Sequence, residues 1–412
     1  MTTTHHPLIN ERLHGLDALR AIALILGVVL HLTLSFLPDA GKLWIVADQS
    51  SSSLLAITFF VIHMLRMAAF FLIAGFFGRL LLQRLGSAGF ARDRLRRIGL
   101  PLFAGWPIVF TAIVAVIIWS AWIAHGGELP KESPPGPKFT PDDFPLTHLW
   151  FLWVLMLFYS AALLMRGVVH LIDRADRLGR GADVLLRIVL GWWAPFVLAV
   201  PLVFGLIQHS KWMPWFGVPT PDHSLYPNLA SLSVYGVAFV LGWLLHRQRD
   251  LLGMIERRWA FNLSLAIAAS ATALAIVGID PVLRVEADGA LRTAYAVVYS
   301  IGVWSWTLAM IGMSLRFLSG HSAVRRYIAD ASYWIYLAHL PLVMALQVAC
   351  ARLPWAWWLK FPLLLIVALA LLFASYQLLV RHTVIGVILN GRKPARVDAT
   401  AGAVSVPPTM AG

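Results

Sequence analysis

Ten apolar runs of roughly 20 residues, set apart by short charged or proline-rich stretches, leave this chain few folds to choose from. Inside a bilayer a segment must satisfy its own backbone N–H and C=O groups, so each run is expected to be an α-helix. The runs lie at about 16–37, 54–78, 98–122, 148–170, 185–207, 229–246, 259–279, 293–317, 331–351 and 361–384. The expectation is therefore an all-α, polytopic integral membrane protein with about ten transmembrane helices. Composition agrees, with 13% charged residues against about 25% for a soluble domain. A formal charge of +13 can serve nucleic acid. Here the charges sit between apolar runs, so the expected partner is the lipid bilayer and not nucleic acid.

The basic residues alternate from loop to loop. The N-terminal segment and every second loop hold 24 of the 33 Lys and Arg; the other loops hold eight, and Arg66 lies inside a run. By the positive-inside rule the richer side is cytoplasmic, and an even count puts both termini there. Residues 1–390 read as one membrane domain without internal repeats. The tail, 391–412, is small, polar and expected to be disordered. A single cysteine, Cys350, rules out an intrachain disulfide framework and a cysteine-rich metal site. No metal is expected.

Polar residues within the runs are the candidate site. His31 lies about 16 Å beyond Arg20 along the first helix, and Asp17 lies about 21 Å from His31, too far to orient its ring. Asp17 is expected to pair with Arg20 or Arg12, or to favour the helix N-terminus. In the second run His63 and Arg66 are three apart and share a face, roughly 14 and 18 Å below the outer end. An arginine so deep needs an acceptor: a fixed ion pair, backbone carbonyls, or the anionic part of a substrate. His148 opens the fourth run beside Trp150 and reads either as a solvated interfacial group or as part of the site.

Asp330 is placed to cap the ninth run or to favour its positive end, and in that run Tyr336 and His339 are again three apart. His339 lies roughly 13 Å from the inner end of that run. Pro341 leaves the carbonyl of Leu337 without its helix partner. By depth alone the order from inside to outside is Arg20, His339, Arg66, His63, His31, His148. Trp212 and Trp215, in a proline-rich outer loop, read either as interfacial anchors or as a stacking rim for a sugar-like substrate.

The segments Leu16-Asp17-Ala18-Leu19-Arg20 leading to His31, His63 to Phe77, the basic run to Pro101, His148 to Leu152 and Ala331 to Pro341 occur in an order that resembles the membrane acyltransferase-3 superfamily. Within it they are most similar to the glucan biosynthesis protein C group, which succinylates periplasmic glucans. The resemblance implies a multi-pass enzyme of the bacterial cytoplasmic (inner) membrane. Such an enzyme moves an acyl group from cytoplasmic acyl-CoA, succinyl-CoA being favoured, to a hydroxyl of a periplasmic glucan or other envelope polysaccharide. No bound cofactor is implied. His31 matches the essential first-run histidine and Arg20 the arginine that serves the donor. His63, Arg66, His148 and His339 carry over at their positions. Arg94 and Arg97 join Arg20 as candidates for the phosphates of CoA, with Asp17, Trp150 and Tyr336 in the binding set. The basic run has an equal reading in topology and lipid headgroups.

The chemistry asks for a base, because a sugar hydroxyl is a poor nucleophile at neutral pH. A neutral imidazole is suited to that task, and burial disfavours the imidazolium. His31 then either deprotonates the acceptor for direct transfer or is itself acylated first. Arg66 or His63 offers a donor to the tetrahedral oxygen, or Arg66 binds a succinyl carboxylate. The alternatives are an O-acetyltransferase of another envelope glycan or lipid and a proton-coupled transporter or flippase. Transporter folds often carry repeats and matched broken helices, which this sequence does not show.

Overall fold

The computed structural model describes residues 7–130, 136–173, 175–284 and 289–391, with side chains from residue 14 onward. The tail beyond residue 391, read from sequence as disordered, lies outside the described residues. Among the described residues the protein is all-helical and contains no strand. The helices are α1 (Pro7–Thr33), α2 (Ser53–Arg94), α3 (Leu100–Ala124), α4 (Trp150–Ile172), α5 (Arg177–Val189), α6 (Ala194–Gln208), α7 (Leu229–Leu245), α8 (Leu251–Arg257), α9 (Trp259–Val277), α10 (Ala290–Phe317), α11 (Ala323–Cys350), α12 (Trp357–Ser375) and α13 (Val384–Asn390).

Among the described residues seven helical stretches are long and apolar enough to cross a bilayer; α2 and α3, joined through a π-helical turn at Leu95–Gly99, form one of them. The number is eight if the bent pair α5–α6 is one span. The protein is thus a multi-pass helical membrane protein. The expectation of one helix over 185–207 is corrected: α5 and α6 meet at 106°. Gly191 loosens the chain there and Pro195, in the first turn of α6, has no N–H to continue a ladder. The Trp193 indole donates to the Ile188 carbonyl at 2.9 Å and closes the corner. α5 exposes Leu178 and Leu185 and places Arg177, Arg180 and Arg187 around the other side, the pattern of a helix lying along an interface.

Side-chain caps set three helix starts. Ser52 accepts from Leu55 N–H, Asn228 from Ser231 N–H and Ser322 from Arg325 N–H. The last corrects the expectation that Asp330 caps the ninth span, since α11 begins seven residues earlier at Ala323. Close packing of α2 on α7 depends on two glycines. A Cβ at Gly75 would meet the carbonyl carbon of Phe239 at 2.9 Å, and one at Gly242 that of Leu72 at 2.7 Å. Near the α11–α12 connection, Lys360 pairs with both Asp48 oxygens at 2.9 Å and donates to the Leu353 carbonyl at 2.7 Å. Arg292 is buried and donates to the carbonyl of His209 at 2.8 Å, closing the C-terminal end of α6.

Candidate functional site

Helical periodicity builds the site. On α1, Arg20, Leu24, Gly27 and His31 follow one another at spacings of four, three and four, and so form a single stripe. On α2 the stripe is Phe59, His63, Arg66 and Phe70; on α11 it is Tyr333, Tyr336, His339 or Leu340, and Met344. All of these line one continuous cavity of about 880 Å³. The cavity runs from a basic mouth at Arg94, Arg97 and Asn390 to a loop mouth at His209, Lys211 and Asp222. Arg20, His31, His63, Arg66, Arg94, Arg97, His148, Trp150, Tyr336 and His339 all line it. Asp17 does not; its carboxylate lies 3.4 Å from the Arg20 guanidinium, as one sequence reading has it.

Three imidazoles meet in the cavity. The His31 and His339 rings are 5.2 Å apart and those of His339 and His148 5.0 Å. The depth order read from sequence, which separated His339 from the other two, is therefore corrected. The cause is the true start of α11: from Ala323, His339 lies about 24 Å along the helix. His148 is 7% exposed, so it is not a solvated interfacial group.

Carbonyl oxygens only accept, which fixes where two of the ring protons sit. His339 Nδ1 faces the Tyr336 carbonyl at 2.7 Å and carries its proton there. Its Nε2 lone pair is enclosed without a protein partner. His148 Nε2 faces the Leu337 carbonyl at 3.3 Å, leaving Nδ1 without a partner. That carbonyl is the one Pro341 frees. The Tyr336 hydroxyl donates to the His148 carbonyl at 2.6 Å and ties α11 to the entry of α4.

His31 is held from behind. Gln347, 1% exposed, donates to the His31 and Leu32 carbonyls at 2.9 and 3.0 Å. Its carbonyl accepts the Trp44 indole N–H at 2.9 Å. The Trp44 ring stacks on His31 at 6.4 Å. His31 Nδ1 and His63 Nδ1 are enclosed without partners. Arg66 reaches across to α1, where a Cβ on Gly27 would collide with its Nη1. Gly27 stands one turn before His31, so the guanidinium lies beside that imidazole. Arg66 Nε has no partner, and among the described residues no ion pair involves Arg66, which overturns the fixed-ion-pair reading.

The basic mouth is different. Asp93 accepts from Arg94 Nε at 3.1 Å and lies 3.1 Å from Arg97 Nε. Arg94 also lies 5.3 Å from the Tyr159 ring centre. Both arginines flank or sit on the π-helical turn, and the Tyr333 hydroxyl donates to the Arg97 carbonyl at 2.6 Å.

Loop segments 136–146 and 209–228 form the opposite mouth, stitched by Phe144 N–H to the His223 carbonyl at 3.0 Å and Leu225 N–H to the Pro141 carbonyl at 2.8 Å. Trp212 and Trp215 are 1% and 2% exposed. They stabilise the loop from within, so the interfacial-anchor reading falls, while Trp212 also lines the cavity. The Trp212 N–H donates to the Gly217 carbonyl at 2.7 Å. Trp44, Gln347 and Asp93 were not picked out from sequence. Nothing local marks them, because their partners are brought together by the fold.

A helical membrane bundle holding a cavity of imidazoles, each with a ring nitrogen lacking a protein partner, and an arginine with no carboxylate among the described residues defines a membrane-embedded polar site of the kind that supports catalysis. The family follows from comparison. The acyltransferase-3 profile, described as an acyltransferase domain, matches residues 13–377, and the chain belongs to that family. It is an O-acyltransferase. Similar relatives are the glucans biosynthesis protein C chains of Escherichia coli K12, of E. coli O139:H28 strain E24377A and of E. coli strain SMS-3-5. Each is 22% identical over 400 residues, spanning 94% of this chain and 96% of the relative. No solved structure matches it significantly.

Proposed function

We propose that this enzyme transfers a succinyl group from cytoplasmic succinyl-CoA to a hydroxyl of a periplasmic glucan. In this reading the chain crosses the bacterial inner membrane ten times with both termini inside, and the basic mouth faces the cytoplasm. The observation that carries the reading is Arg66, a cation beside His31 in the cavity, with no carboxylate among the described residues to neutralise it. A succinyl group brings that carboxylate. Acetyl has none, so the site favours a dicarboxylic donor.

The donor enters from the basic mouth, its phosphates held by Arg20, Arg94 and Arg97, and the acceptor from the loop mouth. His31 removes the hydroxyl proton as the oxygen attacks the thioester carbonyl. His63 donates to the tetrahedral oxygen. The C–S bond breaks, and the imidazolium returns its proton to the departing thiolate. Gln347 and Trp44 hold the ring for both transfers. Direct transfer is favoured over an acyl-histidine; ping-pong kinetics and a trapped acyl-imidazole reverse that choice.

The test is mass spectrometry of glucan incubated with membranes and succinyl-CoA. The expected product carries one succinyl increment, lost in His31→Ala at equal protein level. Full transfer by His31→Ala ends the assignment of the base. An acetyl increment from acetyl-CoA alone makes the enzyme an O-acetyltransferase.

A further inference from the structure

Four non-glycine residues among those described have left-handed backbone: Asp39, Phe139, Thr147 and Asp176. Aspartate tolerates that region through its short polar side chain. Thr147, at φ +52°, is the β-branched member of the set, for which this geometry is an outlier that the surrounding fold must enforce. The strain sits at the loop mouth, one residue before His148. It aims the Thr147 N–H at the Asp222 carbonyl, 3.2 Å away. The Thr147 hydroxyl is enclosed and has no partner.

Asp222 is the second anomaly. Both residues line the cavity. Burial pushes the Asp222 carboxyl above its ordinary value. The His223 ring lies 3.6 Å from Oδ2 and is 79% exposed. The Thr220 hydroxyl donates to Oδ1 at 3.2 Å. The Asp222 backbone N–H also bonds the carboxyl, and lone pairs remain for a ligand, since a carboxylate has about four such sites.

We propose that Asp222 and Thr147 form a hydroxyl-binding subsite that seats the polyhydroxylated acceptor at the loop mouth. This rests on the acceptor reading above. The carboxylate accepts hydrogen bonds from one or two sugar hydroxyls, and the threonine hydroxyl both donates and accepts. The backbone bond between the two residues fixes their separation. Neither side chain touches the reacting atoms; they are positioning residues, and they act on acceptor binding rather than on the donor.

The test is isothermal titration of the full-length protein in lipid nanodiscs with a linear β-linked glucose hexasaccharide, without donor. Asp222→Asn should weaken binding about tenfold and Thr147→Val about threefold, the range of one hydrogen bond to a charged and to a neutral group. Thr147→Ser should bind like the wild type. Thr147→Gly relieves the backbone and should raise the melting temperature while binding as poorly as Thr147→Val. A merely structural role for Thr147 would not separate those two readouts. Absence of wild-type binding, or unchanged affinity in both Asp222→Asn and Thr147→Val, overturns the subsite. Binding that behaves as expected, with no acyl transfer to the same hexasaccharide, upholds the subsite and overturns the transfer reading instead.

Discussion

Lys360 and Arg66 are both cations on apolar helices, and the protein treats them in opposite ways. Lys360 is 1% exposed and Asp48, its partner, 2%; a backbone carbonyl takes a further bond. Arg66 faces an internal cavity, crowds Gly27 and has no carboxylate partner among the described residues. One arrangement fixes a chain crossing in place. The other leaves charge uncompensated where three histidines converge. A buried cation costs stability unless it is paired, so an unpaired one beside a cavity marks where a substrate, rather than the fold, supplies the counter-charge.

The comparison breaks most sharply if Lys360 is cut. Lys360→Met strands Asp48, and the expected loss of stability is about 3–5 kcal/mol, read as a lower melting temperature in nanodiscs. Transfer per folded molecule should be unchanged. Adding Asp48→Leu should restore most of the loss. Arg66→Gln should do the reverse. Transfer of succinyl at low donor concentration should fall by about 10- to 10²-fold, the scale for losing one hydrogen bond to a charged group. The melting temperature should hold or rise. A Lys360-like collapse in Arg66→Gln would make Arg66 a structural residue and remove the main support for a dicarboxylic donor.

A smaller effect sharpens the picture around His31. Gln347→Leu deletes the bonds to the His31 and Leu32 carbonyls and to Trp44. Misplacing a reacting group by about 1 Å costs up to about 10² in rate, so kcat should drop with the donor KM nearly constant. Trp44→Phe keeps a ring to stack and loses only the N–H, and should cost less. Because both act through the same imidazole, the double variant should lose less than the two losses combined. Additive losses would show that Gln347 and Trp44 serve separate ends.

Periodicity makes much of this site legible in the sequence. Arg20 and His31, like His63 and Arg66, fall on cavity-facing stripes because their spacings are whole helical turns. Pro341 marks the Leu337 carbonyl as free, but its partner, His148, lies 189 residues away and only the fold supplies it. What failed did so for identifiable reasons. His339 was misplaced in depth because a polar first turn hides where α11 begins, and only the Ser322 cap marks it. The corner between α5 and α6 is hydrophobic on both sides, so apolar run length misread it as one helix. The burial of the Trp212 and Trp215 indoles stays hidden because an outer loop leaves no sequence period. Gln347 meets His31 across 316 residues, and no local pattern announces such a contact.

The smallest expected effect lies on the surface, where cations are paired as Lys360 is but in solvent. Arg247 bonds Asp176 and Asp183, and its guanidinium holds the Asp176 carboxyl below its ordinary value near 3.8. A depressed native pKa stabilises the fold above the unfolded value, and that contribution disappears as pH falls through the native one. Asp176→Asn should therefore lower the melting temperature slightly at pH 7, with the gap closing as the pH drops below about 4. Because Asp176 is exposed, the gap should also shrink in high salt. Transfer activity should not change. A drop as large as that of Lys360→Met, or any loss of transfer, would mean that this cluster does more than pin α5 to the end of α7, and the division between structural and substrate-facing cations would need redrawing.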